Sequence, residues 1–253
     1  MATASLPQIV AHCDTLLRTS EINDYDGAVN GLQVENRGNV SRIAAAVDAS
    51  ITTIRMAIAA RANLLVVHHG LFWNKRQPWT GVNYEMLRLL LANDVAIYSS
   101  HLPLDMHPKL GNNAQLCAAL GFRNAKPFFR TKDQLLGLRV TTNVSRRALT
   151  QQLRHAANGE VKVIPGGPET CRQIGVVTGG AGAEVKLAAS EGVDTFITGE
   201  GPHWTYALAE ELGVNILYGG HYATETFGVK AFAAHLSKKF RVSWVFVDHP
   251  SGL

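Results

Sequence analysis

Two stretches of this chain lie over each other without a gap, and no other feature of the sequence limits the possible folds so tightly. Residues 43–73 (IAAAVDASITTIRMAIAARANLLVVHHGLFW) align on residues 174–204 (IGVVTGGAGAEVKLAASEGVDTFITGEGPHW). Identities are few, namely Ile43/Ile174, Ala57/Ala188, Gly70/Gly201 and Trp73/Trp204, but small and apolar positions match over much of the length. Both copies read as strand, small-residue turn, helix, strand, glycine, tryptophan, which is the pattern of a βαβ unit. At a different offset Tyr98-Ser-Ser-His101-x-x-x-Asp105 falls on Tyr218-Gly-Gly-His221-x-x-x-Glu225, so histidine meets histidine and carboxylate meets carboxylate. Any two α/β units would share the first similarity. The paired histidine and carboxylate favour duplication.

The same segments carry the chemistry. His68 with His69, His101 with Asp105, and His221 with Glu225 each follow an apolar strand-like run, at 64–67, 95–98 and 214–218. In open α/β sheets, groups just past the carboxyl ends of strands converge on a ligand. Nitrogen and oxygen donors of this kind suit divalent transition ions such as Zn, Fe, Mn or Ni. They outnumber what one tetrahedral ion with an open position takes, so two ions per chain are expected.

Taken singly, each residue has a plainer explanation. A lone histidine on an apolar strand is more often a hydrogen-bonded core residue, and Glu225 in the first turn of a helix suits the helix dipole. A tandem pair at a strand end, joined by two further histidine and carboxylate pairs, tips the balance toward metal. In an extended strand His68 and His69 would face opposite ways, unless the chain turns before Gly70. Pro103 argues for a turn rather than regular helix from His101 to Asp105. Gly219-Gly220 instead place His221 at a helix start, with Glu225 one turn on along the same face.

The repeat sets Gly199 and Glu200 against His68 and His69, so the donors are unequally shared between the copies. Glu200 is a candidate catalytic base, and equally a partner that orients a ligand histidine. Gly179-Gly-Ala-Gly182 could present backbone N–H groups to a phosphate, but it fits no phosphate-loop pattern and is better read as a tight turn.

Alternating strands and helices predict an α/β fold with mainly parallel sheets. Helices are expected at 6–17, 51–60, 84–92, 113–120 and 224–236, and from a Ser145 cap to about 156. Strands are expected at 43–47, 64–67, 95–98, 135–142, 161–164 and 242–247. Periodicity lapses at 123–131 around Pro127. That lapse divides the chain into a first domain, 1–125, with His68, His69, His101 and Asp105, and a second, 126–253, with His221 and Glu225. The metal site would then be built from both.

At 253 residues with 46% hydrophobic content, the chain can bury one large or two small cores. Cys13, Cys117 and Cys171 lack C-x-x-C spacing, which argues against a disulfide framework and for a reducing, cytoplasmic setting. The first residues show no basic region followed by an apolar run, and no stretch approaches the roughly 20 residues that cross a bilayer. A net charge of +4 is mild, and its basic runs at 146–147 and 238–241 suit solvated faces, so nucleic acid is not an expected partner.

Together Asn30-Gly-Leu-Gln-Val34, Val66-Val-His-His-Gly70, His101-x-Pro-x-Asp105, Gly111-Asn-Asn-Ala-Gln115, Ile197-Thr-Gly-Glu200 and Gly220-His-x-x-x-Glu225 resemble the Nif-three-like dinuclear metal centre family, also called GTP cyclohydrolase 1 type 2 homologs. The resemblance implies that His68, His69, His101, Asp105, His221 and Glu225 are the metal ligands, held between two interlinked, pseudo-symmetric α/β domains. It implies a homohexamer, a trimer of dimers with sites facing an inner cavity, and a small nucleotide-like substrate. GTP cyclohydrolase activity gives the family its name, while transcription-related partnership and nucleotide damage protection are other roles proposed for it. The expected function is that of a dinuclear metal-binding protein, a metal-dependent hydrolase of a nucleotide or related heterocycle. The alternative is a non-catalytic metal-binding scaffold or regulatory interaction protein.

Overall fold

A computed structural model describes residues 3–73 and 78–253. The chain forms two compact units, Met1–His107 with Gly228–His249, and Pro108–Phe227 with Pro250–Leu253. The sequence pattern suggests a division near residue 125. The packing instead divides the chain between His107 and Pro108 and returns Gly228–His249 to the first unit. The helix His221–Phe240 thus begins in the second unit and ends in the first.

The first unit holds a five-stranded sheet in the order Ser243–Phe246, Arg42–Asp48, Leu64–His69, Ala96–Ser99, Gly31–Val34. All neighbours are parallel except Gly31–Val34, which is antiparallel to Ala96–Ser99. The apolar runs of its central strands are buried, as strands covered on both faces require. Ala44, Ala46, Leu65, Val67 and Ile97 pack with Ile54 and Ala57 of the helix Ile51–Ala59 and with Leu90 of the helix Gly81–Ala92. Ser50 starts the first of these helices through a reciprocal cap: its Oγ accepts from Thr53 N at 3.2 Å, and Thr53 Oγ1 accepts from Ser50 N at 2.9 Å.

The second unit departs from the mainly parallel expectation. Its six-stranded sheet runs Lys126–Thr131, Gln134–Ser145, Thr170–Val176, Thr195–Thr198, Asn215–Tyr218, Lys162–Pro165. Only the two pairings made by Thr195–Thr198 are parallel, so the fold is α/β with mixed sheets. One of its three antiparallel pairings is a hairpin where the sequence shows lapsed periodicity. Lys132 and Asp133 both take positive φ, 47° and 62°, and join adjacent strands by a two-residue turn, which enforces antiparallel pairing. Pro127 is tolerated because its strand lies at the sheet edge.

The repeat is visible in both sheets. Arg42–Asp48, Leu64–His69 and Ala96–Ser99 are consecutive parallel neighbours with an antiparallel strand beyond the last. Thr170–Val176, Thr195–Thr198 and Asn215–Tyr218 repeat that order, with Lys162–Pro165 as the antiparallel addition. Among the described residues no helix is long and apolar enough to cross a membrane.

Asn215 pins the second sheet to the loop that follows Lys162–Pro165. It is fully buried, its Oδ1 accepts from Gly167 N (3.1 Å) and Arg146 Nη1 (2.9 Å), and its Nδ2 donates to Pro168 O (2.8 Å) and Thr195 Oγ1 (3.2 Å). Asn215→Ala leaves several of these groups without their partner and is expected to cost about 2–4 kcal/mol. Urea denaturation measures this, and a loss below about 1 kcal/mol would show that the loop holds without Asn215.

Candidate metal centre

In the first unit three imidazoles gather past the carboxyl ends of neighbouring parallel strands. His68 and His69 end the strand Leu64–His69, and His101 follows Ala96–Ser99. Each Nδ1 meets an oxygen: Ser100 O for His68 (3.0 Å), Asp48 Oδ1 for His69 (2.8 Å) and Asp24 Oδ1 for His101 (2.8 Å). A carbonyl or carboxylate oxygen only accepts, so each Nδ1 carries the proton and donates it. In the neutral ring Nε2 then keeps its lone pair, the state in which an imidazole binds metal. The three residues offer ring nitrogens within 4.8 Å of one another. His68 Nε2 also lies 3.4 Å from Asp105 Oδ2.

Strand alternation would separate His68 from His69, yet their ring centroids are 4.8 Å apart, because the strand ends at His69 and both rings turn over its end. Gly70 permits this turn. A Cβ there would collide with the Gln33 amide and with Ser99 Oγ, and the Gln33 Oε1 that fills the space accepts from Leu71 N at 2.7 Å. The segment after His101 is a one-turn helix, Leu102–Asp105, rather than an irregular turn, with Asp105 N donating to His101 O at 3.1 Å. Pro103 falls in the first turn, where no intrahelical N–H is needed. Trp73 walls one side: its indole N–H donates to Gly70 O at 3.0 Å, and its ring stands nearly perpendicular to His101 with centroids 4.9 Å apart.

Asp24 and Asp48 were not legible as site residues. Asp48 had a signal, since it is a carboxylate at the end of the first repeat strand, where ligand-facing groups collect. Asp24 had none, because it sits in an irregular loop 77 positions from His101. Its other oxygen accepts from Asn30 Nδ2 (2.8 Å) and Leu102 N (3.1 Å), and Asn30 Oδ1 accepts from His101 N (2.8 Å). Burial pushes the Asp24 carboxyl up. The hydrogen bond and charge of His101, with the Asn30 and Tyr25 N–H groups, outweigh that and hold it at about 2.

In the second unit, His221 opens the helix His221–Phe240 and Glu225 follows one turn on. His221 Nε2 lies 3.2 Å from Glu225 Oε2, and Nδ1 lies 2.7 Å from Glu200 Oε1. Burial lowers the affinity of this imidazole for a proton, but Glu225 and Glu200 together raise its pKa to about 9. Glu200 thus meets the ring as Asp24 and Asp48 meet theirs, a contact that orients a histidine.

Residues 179–182 turn into the 3-10 helix Ala181–Glu184, and their N–H groups are largely used within the protein. Gly179 N donates to Thr224 Oγ1 (3.1 Å), Ala181 N to Thr198 Oγ1 (3.2 Å) and Gly182 N to Glu200 O (3.0 Å). The turn makes room for the helix start. A Cβ on Gly179, whose φ is +73°, would overlap Glu225 Oε1, and one on Gly199 would lie 2.6 Å from His221 Cα.

Over residues 4–251 the sequence matches the family described as Duf34/NIF3 (NGG1p interacting factor 3). The chain belongs to this family. Among its Duf34/NIF3 relatives, the GTP cyclohydrolase 1 type 2 homolog of Halobacterium salinarum is 40% identical over 239 residues, covering 92% of this chain and 94% of that protein. The namesake from Deinococcus radiodurans is 36% identical over 230 residues, 90% of this chain and 88% of that one. The crystal structure of TTHA1606 from Thermus thermophilus matches with a TM-score of 0.91 at 36% identity, over 99% of this chain and all of that one.

Two outcomes follow from the contacts of this Duf34/NIF3 chain. The depressed Asp24 carboxyl contributes stability that is fully present above its unfolded pKa of about 3.9 and is lost as pH falls through about 2. Melting curves of wild type and Asp24→Asn are therefore expected to differ above about pH 4 and to converge toward about pH 2. A gap independent of pH would show that charge plays no part. Gly179→Ala combines an unfavourable φ with the Glu225 overlap, and is expected to cost about 2 kcal/mol or more in denaturant melts. An unchanged midpoint would mean that Glu225 is not confined as described.

Proposed function

We propose that this Duf34/NIF3 protein binds two divalent transition ions (Zn, Fe, Mn or Ni) through His68, His69, His101, Asp105, His221 and Glu225, and acts as a metal-dependent hydrolase on a nucleotide or related heterocycle. One observation carries the reading: each of the four histidines has its Nδ1 fixed on an oxygen, namely Ser100 O, Asp48, Asp24 or Glu200. Core histidines need only one satisfied nitrogen. Ligand histidines need Nδ1 fixed so that Nε2 stays aimed and basic. The donor set also fits the ions, because imidazole and carboxylate without thiolate suit Zn, Fe, Mn and Ni.

Divalent ions on such donors supply Lewis acidity and a water nucleophile at neutral pH. The chain's own residues supply the rest. Asp24, Asp48 and Ser100 O hold three rings in place, and Glu200 holds His221. The side chain of Glu200 is 44% exposed, so it can also exchange protons with solvent, which keeps it a candidate base. Trp73 screens His101 and His69 on one side. The substrate class rests on the relatives' name, GTP cyclohydrolase 1 type 2 homolog.

Metal analysis of purified protein is expected to return near two ions per chain, falling to about one or none in His68→Ala or Asp105→Ala. Metal-loaded protein is then expected to turn over GTP or another nucleotide, and Glu225→Gln to abolish that turnover. A stable, metal-free wild type would remove the whole reading. Metal binding without turnover of any nucleotide would leave a metal-bound scaffold as the function.

A further inference from the structure

Away from the metal ligands, the first unit contains a pair of histidines arranged as only a shared proton allows. His12 lies on the helix Leu6–Leu17, and His235 on the part of His221–Phe240 that belongs to the same unit. Their Nε2 atoms are 2.9 Å apart, with ring centroids 5.2 Å apart and planes 12° from parallel. A ring nitrogen lies one ring radius from its centroid. A 2.9 Å nitrogen contact can therefore separate the centroids by at most two radii more, and 5.2 Å is that limit. The rings are thus not stacked face to face. They lie end to end and nearly coplanar, with the two nitrogens head-on.

This geometry counts protons. A neutral imidazole has one N–H and one bare nitrogen, so the neutral pair holds a single proton on the line between the Nε2 atoms. A first added proton goes to the outlying Nδ1 of the donor ring and leaves a charge-assisted N–H···N bond. A second puts N–H on both facing nitrogens, and the contact must open. A bridging metal does not fit, since two bonds of about 2 Å in line would need nitrogens about 4 Å apart. The charged groups acting on the pair are also cations: Lys239 on both rings and Lys238 on His235, both from the helix that bears His235.

We propose that His12 and His235 form a proton-operated clasp that fastens the helix Leu6–Leu17 to the C-terminal part of His221–Phe240, closed at neutral pH and opened by uptake of the second proton in acid. Burial first, then the neighbouring imidazole and the lysines, push His12 down; burial and the lysines do the same to His235. The unfolded chain therefore takes up the second proton more readily than the folded one. The clasp's stability is fully present above the ordinary histidine range near 6.5 and is lost as pH falls through and below it.

Hydrogen exchange of the amides in Leu6–Leu17, corrected for the intrinsic pH dependence of exchange, tests this on the full chain at about pH 7.5 and about pH 5. Wild-type protection is expected to drop about tenfold or more between the two, whereas His12→Gln and His235→Gln drop less than about threefold. Glutamine still hydrogen-bonds but cannot take the second proton. Acid effects on the metal ligands are common to all three proteins and cancel in the comparison. An equal drop in wild type and variants overturns the clasp. Should the variants not fold, 15N shifts of the wild-type imidazoles decide. Two well-separated titration steps for the pair are expected, and two independent single steps near 6.5 overturn it.

Discussion

Fixing Nδ1 of each site histidine on an oxygen is the interaction on which the rest of the candidate metal centre depends. An imidazole at a strand end has two free torsions, and a ligand must aim Nε2 to within a fraction of an ångström. Parallel register supplies the anchors. Asp48 pairs with His69 across neighbouring strands, so the carboxylate that orients this ring comes from the strand beside it. His68 uses the carbonyl of Ser100, one residue past the next strand. Only His101 lies beyond reach of such a neighbour, and its anchor has to come from the loop that carries Asp24 and Asn30.

The duplication shows how one framework comes to carry unequal donors. On the alignment of the copies, Asp48 corresponds to Gly179, His68 to Gly199 and His69 to Glu200. In the first unit these positions hold two histidines of the cluster and the carboxylate that anchors one of them. In the second, two of them are reduced to hydrogen so that the start of the helix His221–Phe240 can approach, as the collisions of a Cβ at Gly179 and Gly199 with Glu225 and His221 demonstrate. The third, Glu200, becomes the anchor of His221. Two side chains of the first unit are exchanged for room to seat a helix-borne pair.

Much of the fold was legible because its signals are local. The helix Leu6–Leu17, the strands around 43–48 and 64–69, and the start of His221–Phe240 follow from apolar period and flanking glycines. The hairpin was not legible. Lys132-Asp133 is not a residue pair that signals a two-residue turn, and Phe129, with φ of 67°, is held by Glu191, whose carboxylate accepts from Phe129 N and Arg130 N at 2.7 Å. That partner lies 62 positions away, so no window of sequence displays it. The same distance effect hid Asp24. Pro103 misled for a different reason: it sits in the first turn of a helix of four residues, where its missing N–H would have no intrahelical acceptor, and the usual cost of proline disappears.

Proton and metal compete for the same atoms in this chain. The carboxylate that would share an ion with His221 also stabilises its imidazolium, and Glu200 on the other nitrogen adds to that, which is why the ring holds a proton up to about pH 9. An anchor that makes Nε2 a stronger donor to metal also makes it a stronger base toward protons, since both gains come from electron density pushed toward the ring. A site of this kind cannot be tuned for tight metal binding without also being tuned for proton uptake. Selectivity between the two then rests on what a proton cannot do. It can bridge His221 to one carboxylate, but it cannot gather three imidazoles, as the grouped ring nitrogens of His68, His69 and His101 could do around an ion.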